Sequence, residues 1–115
     1  MSKYVEINVR LMAVYGQGGL KAALPNLFRL LSDYGFNLVI AKEPSLYEMV
    51  EVLVRIANDP RVPKRAKKPI TEKLDEFVKT RDAARELLLS RRLKELDHVL
   101  YGLEDLFADL DPQLG

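Results

Sequence analysis

The feature that most constrains this fold is a regular series of large apolar residues near the end of the chain. Seven of them are spaced alternately four and three positions apart, which is the a/d repeat of a packed helix. Val99 and Leu106 occupy g positions and widen the apolar stripe to that of a bundle helix. We therefore expect a long helix packed in the protein's own core, with self-association through this seam as the alternative. The seam residues are Leu89, Leu93, Leu96, Leu100, Leu103, Phe107 and Leu110.

Capping and turn residues predict further helices upstream. Pro25 is tolerated in the first turn of a helix that we expect to end at Gly35. Ser45 and Glu48 form a capping box, which predicts a helix start and a helix running to about Ala57. Between these two helices, residues 37–41 are predicted to form a short extended segment or to continue a helix.

Prolines and glycines divide the rest of the chain. Pro60 and Pro63 interrupt it, and Pro69 is placed in the first turn of the next helix. Residues 4–15 fit both the alternation of a strand and the spacing of a helix, and the glycines at 16, 18 and 19 end that element. The predicted fold class is mainly α: a single domain over residues 1–115, with about four or five bundled helices and room for a short N-terminal β element.

Composition narrows the class of protein. Hydrophobic residues make up 48% of the 115 residues and charged residues 30%, which is typical of a globular chain. Cysteine is absent, so we expect an intracellular, cytoplasmic protein, and no apolar run predicts a membrane span or a signal peptide. Abundant Lys, Arg and Glu with few thermolabile residues would suit the cytoplasm of a thermophile.

Motifs for catalysis are weak. The glycines at 16–19 precede Leu20 and Lys21, so they match neither a P-loop nor a dinucleotide fingerprint, and a plain turn is the better interpretation. The only histidine, His98, falls on an outward heptad position, and no ligand set for a metal is recognisable. Ser45 has no histidine base near it in the sequence. We expect neither catalytic activity nor a cofactor.

The chain as a whole has a net charge of only +1, but one segment departs from this balance of charges. It contains five cations within eight residues, with no acidic residue among them. The prolines around them predict a stiff loop or short helical turn, which suits contacts to phosphate oxygens without base reading. A merely solvated loop and a protein partner, including the chain's own acidic tail, remain alternatives. That tail is Glu104, Asp105, Asp109 and Asp111, and a second basic group at Arg91, Arg92 and Lys94 could extend the basic surface. The five cations are Arg61, Lys64, Arg65, Lys67 and Lys68.

Three resemblances follow from these residues. Arg91 or Arg92 followed by His98 resembles the motif of the HEPN ribonucleases, which implies a ribonuclease using His98. Residues 57–74 resemble a family of small uncharacterised archaeal helical proteins. The short, cysteine-free, Arg- and Lys-studded helical chain as a whole resembles the small subunit of archaeal CRISPR interference (Cascade-type) complexes. That resemblance implies several copies stacked along a guide RNA and contacts to DNA phosphates through the five cations.

The sequence thus leads to a non-catalytic small subunit of a nucleoprotein complex. It would bind the phosphate backbone through Arg61, Lys64, Arg65, Lys67 and Lys68, extended by Arg91 and Arg92. Its expected partners are nucleic acid, other subunits and further copies of itself. The alternative is a protein-protein adaptor or self-assembling helical scaffold that does not bind nucleic acid.

Overall fold

The computed structural model describes Tyr15 and residues 18–115. Within these residues, all the regular secondary structure is helical. The mainly α fold class is therefore confirmed. The strand-or-helix prediction for residues 4–15 falls outside the described residues except for Tyr15. Six helices are described: α1 Gly19–Ala23, α2 Pro25–Asp33, α3 Asn37–Lys42, α4 Leu46–Asn58, α5 Lys64–Leu89 and α6 Leu93–Gln113.

Helix α2 begins and ends where the sequence predicts. Pro25 is its first residue, where a missing N–H removes no helical hydrogen bond. Gly35 adopts a φ of 81°, and the Phe36 N–H donates to the Leu31 carbonyl at 2.9 Å, which closes the helix in a Schellman turn. The segment predicted as extended or helical over residues 37–41 is helical and forms α3.

Helix α4 confirms Ser45 as its N-cap, whereas the Glu48 carboxylate accepts from the Ser45 hydroxyl and not from a backbone N–H as in the predicted capping box. The Ser45 hydroxyl accepts a hydrogen bond from the Glu48 N–H at 3.3 Å and donates to the Glu48 carboxylate at 3.2 Å. The helix then runs to Asn58, one residue beyond the predicted end. Its buried face includes Met49, Val50 and Leu53.

Helix α5 begins earlier than predicted. Its first residue is Lys64, so Pro69 lies inside the helix and not in its first turn. Tertiary anchoring on both sides of this proline explains the difference, because Val62 and Ile70 are buried at 2% and 0% exposure. Packing of these side chains offsets the loss of the hydrogen bond that residue 69 would have donated to the carbonyl of Arg65.

Helices α5 and α6 form the longest antiparallel pair, and the turn between them interrupts the predicted seam. Leu89 is the last residue of α5 and 73% exposed, so its inclusion in an unbroken heptad seam was wrong. From Leu96 to Leu110 the seam is buried as predicted. Arg91 takes a φ of 58°, and the Arg92 N–H donates to the Leu87 carbonyl at 2.9 Å, so an arginine occupies the place that glycine favours in this turn.

The core has a large and a small part. In the large part, Phe77 of α5 and Phe107 of α6 meet edge to face with ring centroids 4.8 Å apart, and α2 and α4 pack around them. The small part lies near the turn between α5 and α6 and contains Ala84, Leu96 and Leu100. The C-terminal helix therefore packs within the protein's own core, as predicted.

A carboxylate near the end of α6 connects this helix to the first turn of α2 by hydrogen bonds. Asp111 is 7% exposed, and its carboxylate accepts from the backbone N–H groups of Leu27 at 2.8 Å and Asn26 at 3.4 Å. The Asn26 amide in turn donates to the Asp111 carbonyl at 3.0 Å. The sequence interpretation placed the acidic tail mostly at the surface, and Asp111 is the member that serves as a helix cap.

Candidate nucleic-acid interface

The five cations predicted to bind phosphate lie at the start of α5 and in the turn before it. The sequence interpretation placed them on a loop or short helical turn, whereas four of them belong to the first two turns of a helix of 26 residues. A long helix holds the relative positions of its side chains more firmly than a loop does. The five cations nevertheless differ in what they contact.

Arg61 is already engaged by a neighbouring carboxylate. Its guanidinium faces Asp59 with Nη2 2.8 Å and Nε 3.1 Å from the two carboxylate oxygens, and its own backbone N–H donates to Asp59 at 2.8 Å. The side-chain hydrogen bond from Arg61 lowers the pKa of Asp59 from 3.8 to about 2. Arg61 also lies over the Phe36 ring, 5.9 Å from its centroid. These contacts hold the Arg61 side chain against the protein's own turn before α5.

Lys67 is used inside the fold. It is 8% exposed, and its ammonium donates to the backbone carbonyl of Asp59 at 2.9 Å. Its aliphatic stem lies among buried neighbours while its charge ties α5 to the preceding turn. Lys67 also lines a surface groove with three of the other cations, but its ammonium already donates to a backbone carbonyl, so Lys67 differs from the fully exposed cation predicted from the sequence.

The other three cations are exposed and project from the first two turns. Lys64, Arg65 and Lys68 form no side-chain hydrogen bond or ion pair with the residues that the structure describes. Lys64 and Lys68 are four residues apart, so they lie one above the other on the same helix face. All three line a surface groove of about 440 Å³. The remaining lining residues are Ala57 of α4 and Lys67, Thr71 and Glu72 of α5.

The helix itself adds to the positive potential. The first turn of α5 contains no acidic residue, and Pro63 before it provides no side-chain cap. Helix N-termini carry a partial positive charge from N–H groups without intrahelical partners. Cations at this end are therefore placed against the helix dipole, an arrangement that destabilises the isolated helix slightly and favours an anion. Glu72, further along the groove, is the carboxylate that limits the positive region.

The second basic group does not extend this surface. Arg91 and Arg92 follow the opposite end of α5, and a rise of 1.5 Å per residue over 25 steps separates them from Lys64 by about 38 Å. Arg92 pairs with Glu95, and Arg91 and Lys94 are exposed. The expectation of one continuous basic surface is thus wrong, and among the described residues the two basic groups lie at separate ends of α5.

His98 is exposed on α6, as its outward heptad position predicts. Its expected companion Arg91 lies in the turn before α6, so the two do not share a helical face as the sequence spacing suggested. Arg92, the other arginine of that motif, is the residue immediately before the helix and pairs with Glu95. The structure therefore does not bring an arginine and His98 together on one helix.

The contacts of two acidic residues are not predicted from the sequence. Asp59 breaks the preceding helix, but an aspartate two residues before an arginine in a turn is also a recognisable local pairing pattern that indicates its contact with Arg61. Asp111, predicted as part of a mostly exposed acidic tail, caps α2 away from this site, and no local pattern indicates this because its partners are 84 and 85 residues away.

The described residues contain neither a group of metal ligands nor a helix that could span a membrane. Over Tyr15 and residues 18–115, no three His, Cys, Asp or Glu side chains are grouped to hold a metal ion. Within the same residues, none of the helices is both long and apolar enough to traverse a bilayer. Comparison with known proteins identified no matching family model, curated protein or solved structure.

Proposed function

We propose that this protein is a non-catalytic small subunit of a nucleoprotein complex that contacts phosphates through Lys64, Arg65 and Lys68. The observation that supports this proposal is the placement of three exposed cations, without ion-pair partners among the described residues, at the positive end of a long helix. A phosphate oxygen accepts hydrogen bonds from ammonium and guanidinium groups, and such contacts carry no base information. Binding should therefore be independent of sequence.

Three contacts make a weak interaction for a single protein molecule. Each neutralised phosphate releases condensed counterions, so the association constant depends steeply on salt but starts from a low value. Useful affinity then requires several copies held along one assembly, where each further contact is intramolecular. A subunit that is present in several copies on a larger complex would meet this requirement.

The proposal is tested by titrating the protein with fluorescent oligonucleotides at several salt concentrations. We expect the logarithm of the association constant to fall linearly with the logarithm of salt, with a slope of roughly 2 to 3 from three contacts. The triple variant Lys64→Ala, Arg65→Ala, Lys68→Ala should abolish most of this slope. Circular dichroism should show an unchanged fold, because exposed charges contribute little to stability.

A matched control removes the same charge elsewhere. Lys21, Lys42 and Lys79 are exposed on α1, α3 and α5, and their triple replacement by alanine should leave most of the slope in place. Equal losses in both triple variants would mean that only net charge matters, and the proposed site would be wrong. Absence of binding by the parent at low salt, both alone and within its native complex, would also overturn the proposal.

The two basic groups permit a second measurement. A separation of about 38 Å corresponds to roughly 11 base pairs of duplex at 3.4 Å each. A duplex of about 8 base pairs should therefore be sensitive only to the α5 variant. A duplex of about 20 base pairs should also lose affinity when Arg91 and Arg92 are replaced by alanine, which tests their predicted role as additional phosphate contacts.

Among nucleoprotein complexes, we favour a Cascade-type CRISPR complex of an archaeal thermophile, located in the cytoplasm. Chain length, helical content and a basic helix end are the features that this proposal shares with the helical small subunits of such complexes. The genes adjacent to the one for this protein test it, since a small subunit is usually encoded beside its partners. Neighbouring genes without any CRISPR component would contradict it.

Exposed apolar residues favour the adaptor as a second candidate function. Leu38 and Leu89 are 75% and 73% exposed, so each is a large apolar side chain that an adaptor could place against a protein partner. An adaptor would show no salt-dependent binding to DNA or RNA. It would instead lose a protein partner when Leu38 or Leu89 is replaced by serine.

A further inference from the structure

The outward face of α6 divides its charges between its two ends. The exposed residues opposite the buried seam begin with the basic turn before the helix, Lys94 and His98, with Glu95 paired to Arg92 at the edge of the face. They end with Asp105 and Asp109. Tyr101 and Gly102 lie at the middle of this face and are also exposed. The face is therefore positive toward one end and negative toward the other.

The acidic C-terminal part of this face is unfavourable for the helix on its own. A helix carries partial positive charge at its N-terminus and partial negative charge at its C-terminus. The first turn contains both Lys94 and the acidic Glu95, whereas the last turn contains no basic residue and Asp109 lies near the C-terminus. A neighbour running in the opposite direction would reverse the effect, because each charged end would then meet its opposite.

We propose that this face of α6 pairs with the same face of a second copy, antiparallel, about a twofold axis near Tyr101 and Gly102. Residues equally distant from the axis then face each other across the pair. In this register Lys94 of one copy meets Asp109 of the other, and His98 meets Asp105. Because the arrangement is symmetric, each of these contacts occurs twice.

The centre of the face is suited to close approach. A Cβ atom built on Gly102 would meet no atom within 4 Å, so the helix backbone is open to a neighbour at this position. The adjacent Tyr101 is 49% exposed and can contribute ring area to the same contact. Small residues beside an aromatic ring allow two helix axes to come near each other.

The size of the face sets the strength of the pairing. The stretch from Lys94 to Asp109 covers 15 steps of the helix, or roughly 22 Å, which is small for a protein interface. We therefore expect a weak, salt-sensitive dimer with a dissociation constant of roughly 10 to 500 µM. Such a contact becomes effective when copies are already held side by side.

The test is a charge exchange measured by sedimentation equilibrium up to about 1 mM protein. Lys94→Asp alone places two acidic side chains against each other twice in the dimer, and Asp109→Lys alone does the same with two basic ones. Each should weaken the dimer by about tenfold, from two exposed pairs changed from attraction to repulsion. The double variant Lys94→Asp, Asp109→Lys should restore it, and roughly 22 Å between the two positions excludes rescue within one chain.

A change at the centre separates pairing from folding. Gly102→Gln should raise the unfolding temperature, since glutamine favours a helix interior over glycine, and should weaken the dimer by filling the open position. A parent that stays monomeric at 1 mM and low salt would overturn the proposal. So would single charge reversals without effect, or a double variant as weak as the single ones.

The pairing does not use the three α5 residues that carry the proposed function, although its face includes the turn with Arg91 and Arg92. Lys64, Arg65 and Lys68 lie on α5 and none belongs to the pairing face, so the alanine variant that abolishes oligonucleotide binding should dimerise like the parent. If the charge variants of α6 dimerise less than the parent but bind oligonucleotides like it, the pairing is supported and the proposed function is unaffected. The two proposals can therefore fail separately.

Discussion

Removing the Asp111 carboxylate should release the N-terminus of α2 and lower the free energy of unfolding substantially. The carboxylate accepts the Leu27 N–H at 2.8 Å and, more weakly, the Asn26 N–H at 3.4 Å. Leu27 is 1% exposed, so water cannot easily replace the lost acceptor. Asp111→Ala would therefore leave a buried donor without a partner at the positive end of a helix.

The magnitude follows from these contacts. A hydrogen bond to a charged group contributes about 1.5 to 3 kcal/mol, and an unsatisfied buried donor is costly for the same reason. The 3.4 Å contact adds little, whereas the favourable position at a helix N-terminus adds about 0.3 to 1 kcal/mol. We expect Asp111→Ala to lower the free energy of unfolding by roughly 2 to 4 kcal/mol. Asp111→Asn keeps one acceptor oxygen and should lower it by about half as much.

Urea denaturation followed by circular dichroism measures this difference. With a slope of about 1.5 kcal/mol per molar urea, a loss of 3 kcal/mol moves the midpoint down by roughly 2 M. Asp109→Ala is the matched control, because Asp109 is exposed on the same helix two residues earlier. If Asp111→Ala shifted the midpoint no more than Asp109→Ala, the assignment of Asp111 as a helix cap would be refuted.

Two further predictions test the turn before α5 and the limits of the seam. The pKa of Asp59 is lowered to about 2 by Arg61, so its charged form stabilises the fold above about pH 4 and this contribution is lost as pH falls through 2. Asp59→Asn should thus be less stable than the parent at pH 6 and equally stable near pH 2 in thermal melts; a difference that does not change with pH would contradict this. Leu96→Ala should cost roughly 2 to 5 kcal/mol, because Leu96 is 1% exposed, whereas Leu89→Ala should cost less than about 0.5 kcal/mol. Equal costs in chemical denaturation would show that both leucines belong to the seam.

The sequence predicted those helix starts and ends that depend on residues only a few positions apart. Ser45 and Glu48 fixed the start of α4, and Gly35 fixed the end of α2, because capping and left-handed turns depend on residues a few positions apart. The apolar spacing from Leu96 to Leu110 likewise identified the buried face of α6. Each of these features can be recognised without knowing the rest of the fold.

Other features depend on contacts between distant segments and could not be predicted. The turn after Leu89 contains neither glycine nor proline, so the sequence spacing ran through it without a break. The start of α5 at Lys64 depends on burial of Val62 and Ile70, which overrides the preference of Pro69 for a first turn. The sequence located the cluster of cations, but only the fold distinguishes the engaged Arg61 and Lys67 from the exposed residues.

Pro69 makes the basic end of α5 mechanically distinct from the rest of that helix. Proline has no N–H to donate to the carbonyl of Arg65, so one hydrogen bond between the first turns and the following ones is missing. The Arg65 carbonyl is therefore left without its helical donor, while the burial of Val62 and Ile70 holds the chain on both sides of this gap. The end of α5 that presents the cations is thus positioned by side-chain packing as much as by its own helical hydrogen bonds.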